Sequence, residues 1–171
     1  MRITPPSLAL ASLLLIVSSV GHGQDMASPN PKAQAMVAAG DAALATPGDA
    51  VEAADAYETA LAVDPADRAA LLGLARASMK LERPGEAIHY YRLVLAQNPN
   101  DLTALEEQGE AMVEKGAFIK ANDNLAQIKA LCVTNCPEQV ALGNAIAHAT
   151  TEPALTAAQI GSKPVVTTGA N

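Results

Sequence analysis

The stretch Val51–Pro99, VEAADAYETALAVDPADRAALLGLARASMKLERPGEAIHYYRLVLAQNP, decides the fold. It carries one pattern twice: a small residue, Tyr four positions on, Ala or Val three further, and Pro five beyond that. The first copy is Ala53, Tyr57, Ala60 and Pro65, and the second is Ala87, Tyr91, Val94 and Pro99, each position recurring at the same interval. A weaker third copy, Ala121, Leu125 and Ile128, follows after one more such interval. A fixed period of roughly 34 residues belongs to a helical solenoid, in which one helix pair buries too little surface alone and neighbours must stack. Small side chains at Ala53 and Ala87 permit close helix crossings. Tyr57 and Tyr91 are expected to fill the gap between one pair and the next, and Pro65 and Pro99 to help turn the chain.

Working outward, spacings of three and four mark the buried faces of the helices. A first helix is predicted over residues 32–45, stopped by Thr46-Pro47-Gly48, and a second over 50–63, with Asp49 as its cap. A third runs from Arg68 to about Leu81 behind an Asp67 cap. Arg83-Pro84-Gly85 reads as the next turn, although Pro84 could instead open the fourth helix, which otherwise spans 86–97. Asp101 caps a fifth helix over 102–115, Gly116 breaks it, and a sixth covers 117–130. Pro137 suits the first turn of a last helix ending near Ala149, whose Val140, Leu142, Ile146 and Ala147 would cover the open end of the stack. Residues 150–171, rich in Pro, Gly, Thr and Ala, read as a flexible tail.

Composition limits function. Half of the 171 residues are hydrophobic, but there is no Trp, one Phe and three Tyr, so thin Ala-rich helices must form the core. The net charge of −7 disfavours nucleic acid, whose binding depends on Lys and Arg, and leaves a basic protein partner open. Arg2, the apolar run Leu8–Val20 and the small residues Gly21 and Gly23 read as a secretory signal peptide over 1–23, followed by a loose leader over 24–31. The alternative is an uncleaved anchor, for which the apolar run is short. After removal of this segment no other stretch would cross a bilayer, and the expected location is the periplasm or cell envelope.

The chain resembles the tetratricopeptide repeat family, of the exported bacterial type. The copies align as Gln34–Asp67, Arg68–Asp101 and Leu102 to about Asn135. The family's small and aromatic positions fall on Ala53, Ala87, Ala121 and on Tyr57, Tyr91, Leu125. Its second small position falls on Ala60, Val94 and Ile128. The turn proline falls on Pro65 and Pro99, with Val133 in the third copy. The Leu-Gly pair of the first helix is partly kept as Leu74-Ala75 and Gln108-Gly109 and is Gly40-Asp41 in the first copy. The resemblance implies an all-α, right-handed superhelix of three hairpins and a C-terminal capping helix, over residues 32–149. It also implies a concave face lined by Ala35, Ala38, Ala42, Leu72, Arg76, Met79, Lys80, Thr103, Glu106, Glu110 and Val113, apolar at one end, basic in the middle and acidic at the other. A protein segment would lie on Leu72, Arg76, Met79, Lys80, Glu106, Glu110 and Val113. The bland reading is that the charged members only solvate their helices. Ala38 and Ala42 stand where a carboxylate-clamping subclass needs Lys and Asn, which argues against that subclass.

Cys132 and Cys136 are the only cysteines. In an exported chain such a pair is most naturally a disulfide, here a small staple between the last repeat and the capping helix. A redox pair is the functional alternative, against which stands the four-residue spacing. Metal binding would require at least one more good ligand, and His148 is the only nearby histidine. His89, beside Tyr90 and Tyr91, reads as an ordinary partly packed residue. No nucleophile triad, phosphate loop or cofactor motif is present, so a non-enzymatic protein without a cofactor is expected. Three functions follow: an envelope adaptor holding a protein segment during assembly or secretion, an accessory structural subunit of an envelope enzyme complex, or a thiol-active assembly factor using Cys132 and Cys136. The oligomeric state is left open.

Overall fold

The computed structural model describes residues 30–134 and 136–161. The expected signal peptide and most of the leader lie outside them, as does the end of the tail. The described chain is all helix and turn: α1 (Pro31–Ala45), α2 (Ala50–Val63), α3 (Arg68–Lys80), α4 (Pro84–Gln97), α5 (Leu102–Glu114), α6 (Phe118–Leu131) and α7 (Pro137–Gly161). Consecutive helices pack as antiparallel neighbours, and the pairs stack into an α-solenoid. No helix among the described residues is long and apolar enough to cross a membrane.

The caps explain where the helices start. The carboxylates of Asp67 and Asp101 accept from the N–H groups of Ala70 (2.9 Å) and Ala104 (3.1 Å), covering donors that the first turn leaves free. Asp49 makes no such side-chain bond. Its backbone, at φ −95° and ψ 23°, lies outside the extended region that aims a capping carboxylate into the helix. Pro84 opens α4. The turn before it is Leu81–Arg83, and Gly85 lies within the helix.

A second recurrence sits in the loops between paired helices. Gly48, Glu82 and Gly116 stand at the repeat interval from one another and all adopt positive φ, at 100°, 58° and 73°. At the latter two, the next N–H bonds back to the carbonyl five residues earlier, Arg83 to Ser78 (2.9 Å) and Ala117 to Met112 (2.7 Å). This is the left-handed helix ending that glycine favours, and in the second repeat a glutamate occupies it.

The buried aromatic positions join the repeats as expected. Tyr57 is fully buried between α1 and α3 and packs with Ala53, Leu74 and Ala77. A Cβ on Gly40 would lie 2.7 Å from its ring, and one on Gly73 would overlap it. The Tyr57 hydroxyl donates to Asp41 at 2.7 Å. The unusual Gly40-Asp41 pair is thereby explained, since Gly40 admits the ring and Asp41 receives its hydroxyl. Tyr91 anchors the next layer with Ala87, Val94, Leu71 and Met112. Gln108, 5% exposed, links adjacent helices there, donating to the Ile88 carbonyl at 3.3 Å and accepting from Asn124 at 3.0 Å.

Helix α7 is more than a lid. Leu142-Gly143 stands one repeat interval after Gln108-Gly109, and fully buried Leu142 packs with Leu105, Leu125 and Ile128. Leu142 thus meets Leu125 as Leu74 meets Tyr57, so α7 occupies the place of the first helix of a fourth repeat. Gly109 lets it approach, because a Cβ there would lie 2.6 Å from Leu142. The turn leading to α7 differs from the earlier ones. Asp64 and Asn98 each accept from the N–H two residues on, at 3.2 and 3.1 Å, and are followed by Pro. Cys132 takes their place in the next repeat and forms a disulfide with Cys136, with Cα atoms 6.0 Å apart. The last helix also passes beyond Ala149, where a tail was expected, to Gly161. The Ala-rich sequence of residues 154–160 favours helix, which outweighs the missing N–H of Pro153.

Candidate functional site

The first helices of the pairs, α1, α3 and α5, frame two clefts. One, of about 440 Å3, lies between α3 and α5 and is lined by Arg76, Met79, Lys80, Tyr91, Glu106, Glu107, Glu110 and Glu114. The other, of about 550 Å3, lies between α1 and α3 and is lined by Gln34, Val37, Ala38, Asp41, Asp64, Asp67, Arg68 and Ala69. A third depression, near the end of the stack, includes Cys132, Cys136 and Val140 in its wall.

The structure brings five of the seven expected groove residues into the α3–α5 cleft: Arg76, Met79, Lys80, Glu106 and Glu110. Leu72 is not available there. It is 3% exposed and belongs to the core cluster with Leu71, Ala75 and Tyr91, because α3 is covered by neighbours on most of its surface. Val113 is half-buried and packs against the same core rather than lining the cleft. The residue that the sequence reading missed is Glu107. Its carboxylate accepts from Arg76 Nε at 3.0 Å and Nη2 at 2.6 Å. The expected basic middle of the face is therefore replaced by a neutral ion pair. The partners lie on different helices, far apart in sequence, which leaves no local signal of this pairing.

A similar pairing removes the charge of Arg68. Its guanidinium donates through Nε and, at 2.8 Å, through Nη2 to Asp101, the cap of α5. The Arg68 hydrogen bond holds the Asp101 carboxyl below the usual carboxylate range. Both arginines lining the clefts are thus held by internal carboxylates, leaving Lys80 as the cation in the α3–α5 cleft among Glu106, Glu110 and Glu114.

Those glutamates sit four residues apart along α5, where like charges repel. Partial burial, then the nearby Glu110, Glu107 and Glu138, push the Glu106 carboxyl up to about 7. Burial also raises Glu110. Tyr91 is raised by burial and by the Glu107 carboxylate beside it. The side chains form no grouping of three or more His, Cys, Asp or Glu fit to hold a metal among the described residues. What the cleft offers is a surface open to solvent, with half-buried Met79 beside a row of carboxylates.

The tetratricopeptide repeat model matches residues 44–108. Residues 44–108 are tetratricopeptide repeats. The repeats match solved structures at low identity. The Sgt2 repeat domain from Aspergillus fumigatus is 21% identical, covering 84% of this chain and 92% of its own, with a TM-score of 0.63. The first repeat domain of Spaghetti (RPAP3), bound to the HSP90 peptide SRMEEVD, is 21% identical over 72% of this chain and 94% of its own, with a TM-score of 0.62. The first repeat domain of human RPAP3 is 20% identical over 71% and 97%, at 0.59. At these identities the likeness is one of fold. No curated protein matches the sequence significantly. The repeat layers described above are those of this fold.

Proposed function

We propose that the protein is a non-enzymatic adaptor of the bacterial cell envelope that holds a segment of another protein in the face framed by α1, α3 and α5 during assembly or secretion. The observation that carries this reading is the open α3–α5 cleft on a tetratricopeptide repeat scaffold. A structural neighbour, the RPAP3 domain, is bound to a peptide, which supports a polypeptide occupant. The apolar run Leu8–Val20 behind Arg2 supports export. An accessory subunit of an envelope complex is the second reading. It is favoured by the exposure of Val133 (91%) and Val140 (60%) at the end of the stack, where a permanent neighbour could bury them.

A photocrosslinking residue placed at Met79, in the cleft, and at Ile119, exposed on α6, tests the adaptor reading in cells that express the protein. The adaptor gives protein crosslinks in the envelope fraction from Met79 and not from Ile119. Equal yields from the two positions would refute it. The same residue placed at Val140 tests the subunit reading, which gives crosslinks from Val140 and none from Met79.

A further inference from the structure

We infer that the occupant of the α3–α5 cleft is a cationic polypeptide segment, bearing Lys or Arg side chains that meet the Glu106, Glu110 and Glu114 row. This rests on the adaptor reading and names the chemistry of its partner.

Charge bookkeeping within the cleft carries the inference. Arg76 is paired with Glu107 through Nε and Nη2, so the pair offers no net charge to an occupant. Lys80 is left facing Glu106, Glu110 and Glu114. Their i, i+4, i+8 spacing sets these residues about 6 Å apart along the axis of α5, roughly one helical turn each. This row gains nothing for the isolated helix, where like charges four apart destabilise it. It does match lysines or arginines repeated along a bound segment, with Met79 giving an apolar contact beside them. The adjoining cleft has the same bias: it is lined by Asp41, Asp64 and Asp67, and its Arg68 is held by Asp101. A net charge of −7 adds a long-range field of the same sign. The RPAP3 domain is bound to SRMEEVD, a peptide with three acids and one Arg, so the inferred preference here has the opposite sign.

The cleft should also respond to pH. The Glu106 carboxyl, raised to about 7, is faced by Glu107 and Glu110 on α5, Glu138 on α7, Arg76 and Lys80 on α3 and Tyr91 on α4. A cation binds the ionised form better, so affinity rises as pH increases through 7.

The test is fluorescence anisotropy on the purified protein with two labelled peptides of equal length and identical apolar pattern, one carrying Lys and the other Glu at the same positions. The Lys peptide is expected to bind at least about tenfold tighter. The variant E106Q/E110Q should lose about tenfold for it and flatten the pH response, while D55N/E58Q, exposed on α2, should change binding little. Equal losses in both variants would reduce the effect to net charge and overturn the inference. Tighter binding of the Glu peptide, or equal binding of both, would overturn the charge assignment but leave the cleft as a binding site. If neither peptide binds, the inference fails. The Met79 crosslinks then decide whether the adaptor reading falls with it.

Discussion

Arg76 on α3 and Glu107 on α5 are joined across the cleft by a guanidinium–carboxylate pair that neutralises the centre of the concave face. Arg76 is 44% exposed, so the pair contributes little to stability, about 0–1 kcal/mol. Its larger effect is on the cleft. R76A leaves Glu107 without its partner beside Glu106 and Glu110. The expected outcome is a stability change below about 1 kcal/mol by urea unfolding and a several-fold gain in affinity for the Lys peptide. A loss of affinity would mean that Arg76 contacts the occupant itself.

Packing of Tyr57 against Gly73 makes a second outcome specific. G73A would gain up to about 1 kcal/mol of helix propensity but force a methyl into the ring, for a net loss of about 1–3 kcal/mol. Y57L opens space at the same contact. The double variant should therefore lose less than the sum of the single losses, measured as a coupling in urea midpoints. Strict additivity would show that the ring and Gly73 do not meet in solution.

Glu82 holds a left-handed conformation that Gly48 and Gly116 hold in the equivalent loops. For a residue with a Cβ this conformation costs about 1–2 kcal/mol, whereas glycine adopts it freely but loses more backbone entropy on folding. E82G should raise stability by up to about 1 kcal/mol. A lowered thermal midpoint would contradict this.

Asp101 links α5 to Arg68 while capping its own helix, and its side chain is 4% exposed. D101A is expected to cost about 2–3 kcal/mol near neutral pH, from the lost cap and the lost charged hydrogen bonds. D101N retains a cap and isolates the charge. Because the folded pKa lies below the ordinary value, the contribution of the charge is present above about pH 4 and disappears as pH falls through the still lower folded pKa. The gap between wild type and D101N should close in acid. A gap independent of pH would exclude the ion pair as its source.

The disulfide replaces a turn that Asp64-Pro65 and Asn98-Pro99 build elsewhere, so its loss should act locally. Reduction is expected to lower stability by about 1–3 kcal/mol and to speed amide exchange in residues 140–147 before α2–α4. G109A, which pushes on Leu142, should loosen the same helix with the disulfide intact. Uniform loss of protection along the chain would show that α7 is not a separate layer.

Much of this was written in the chain. Ala53, Tyr57, Ala87 and Tyr91 announced the layers because a repeat must present the same packing residue at the same period. Asp67 and Asp101 announced helix starts because a cap acts within three residues of itself. The left-handed site at Glu82 was hidden, since a glutamate gives no sign of positive φ. The fourth repeat was hidden too, because among the described residues it is represented by α7 alone and a cysteine stands at the turn before it.

Local chemistry therefore determined the helices, their order and their stacking, each being set by side chains a few residues apart or by a recurring period. The tertiary structure alone decided which charges face an occupant. Arg76 meets Glu107 and Arg68 meets Asp101 across 31 and 33 residues, and Leu72 is covered by neighbouring helices. Such pairings depend on how successive repeats are rotated against one another, a quantity that no single repeat encodes.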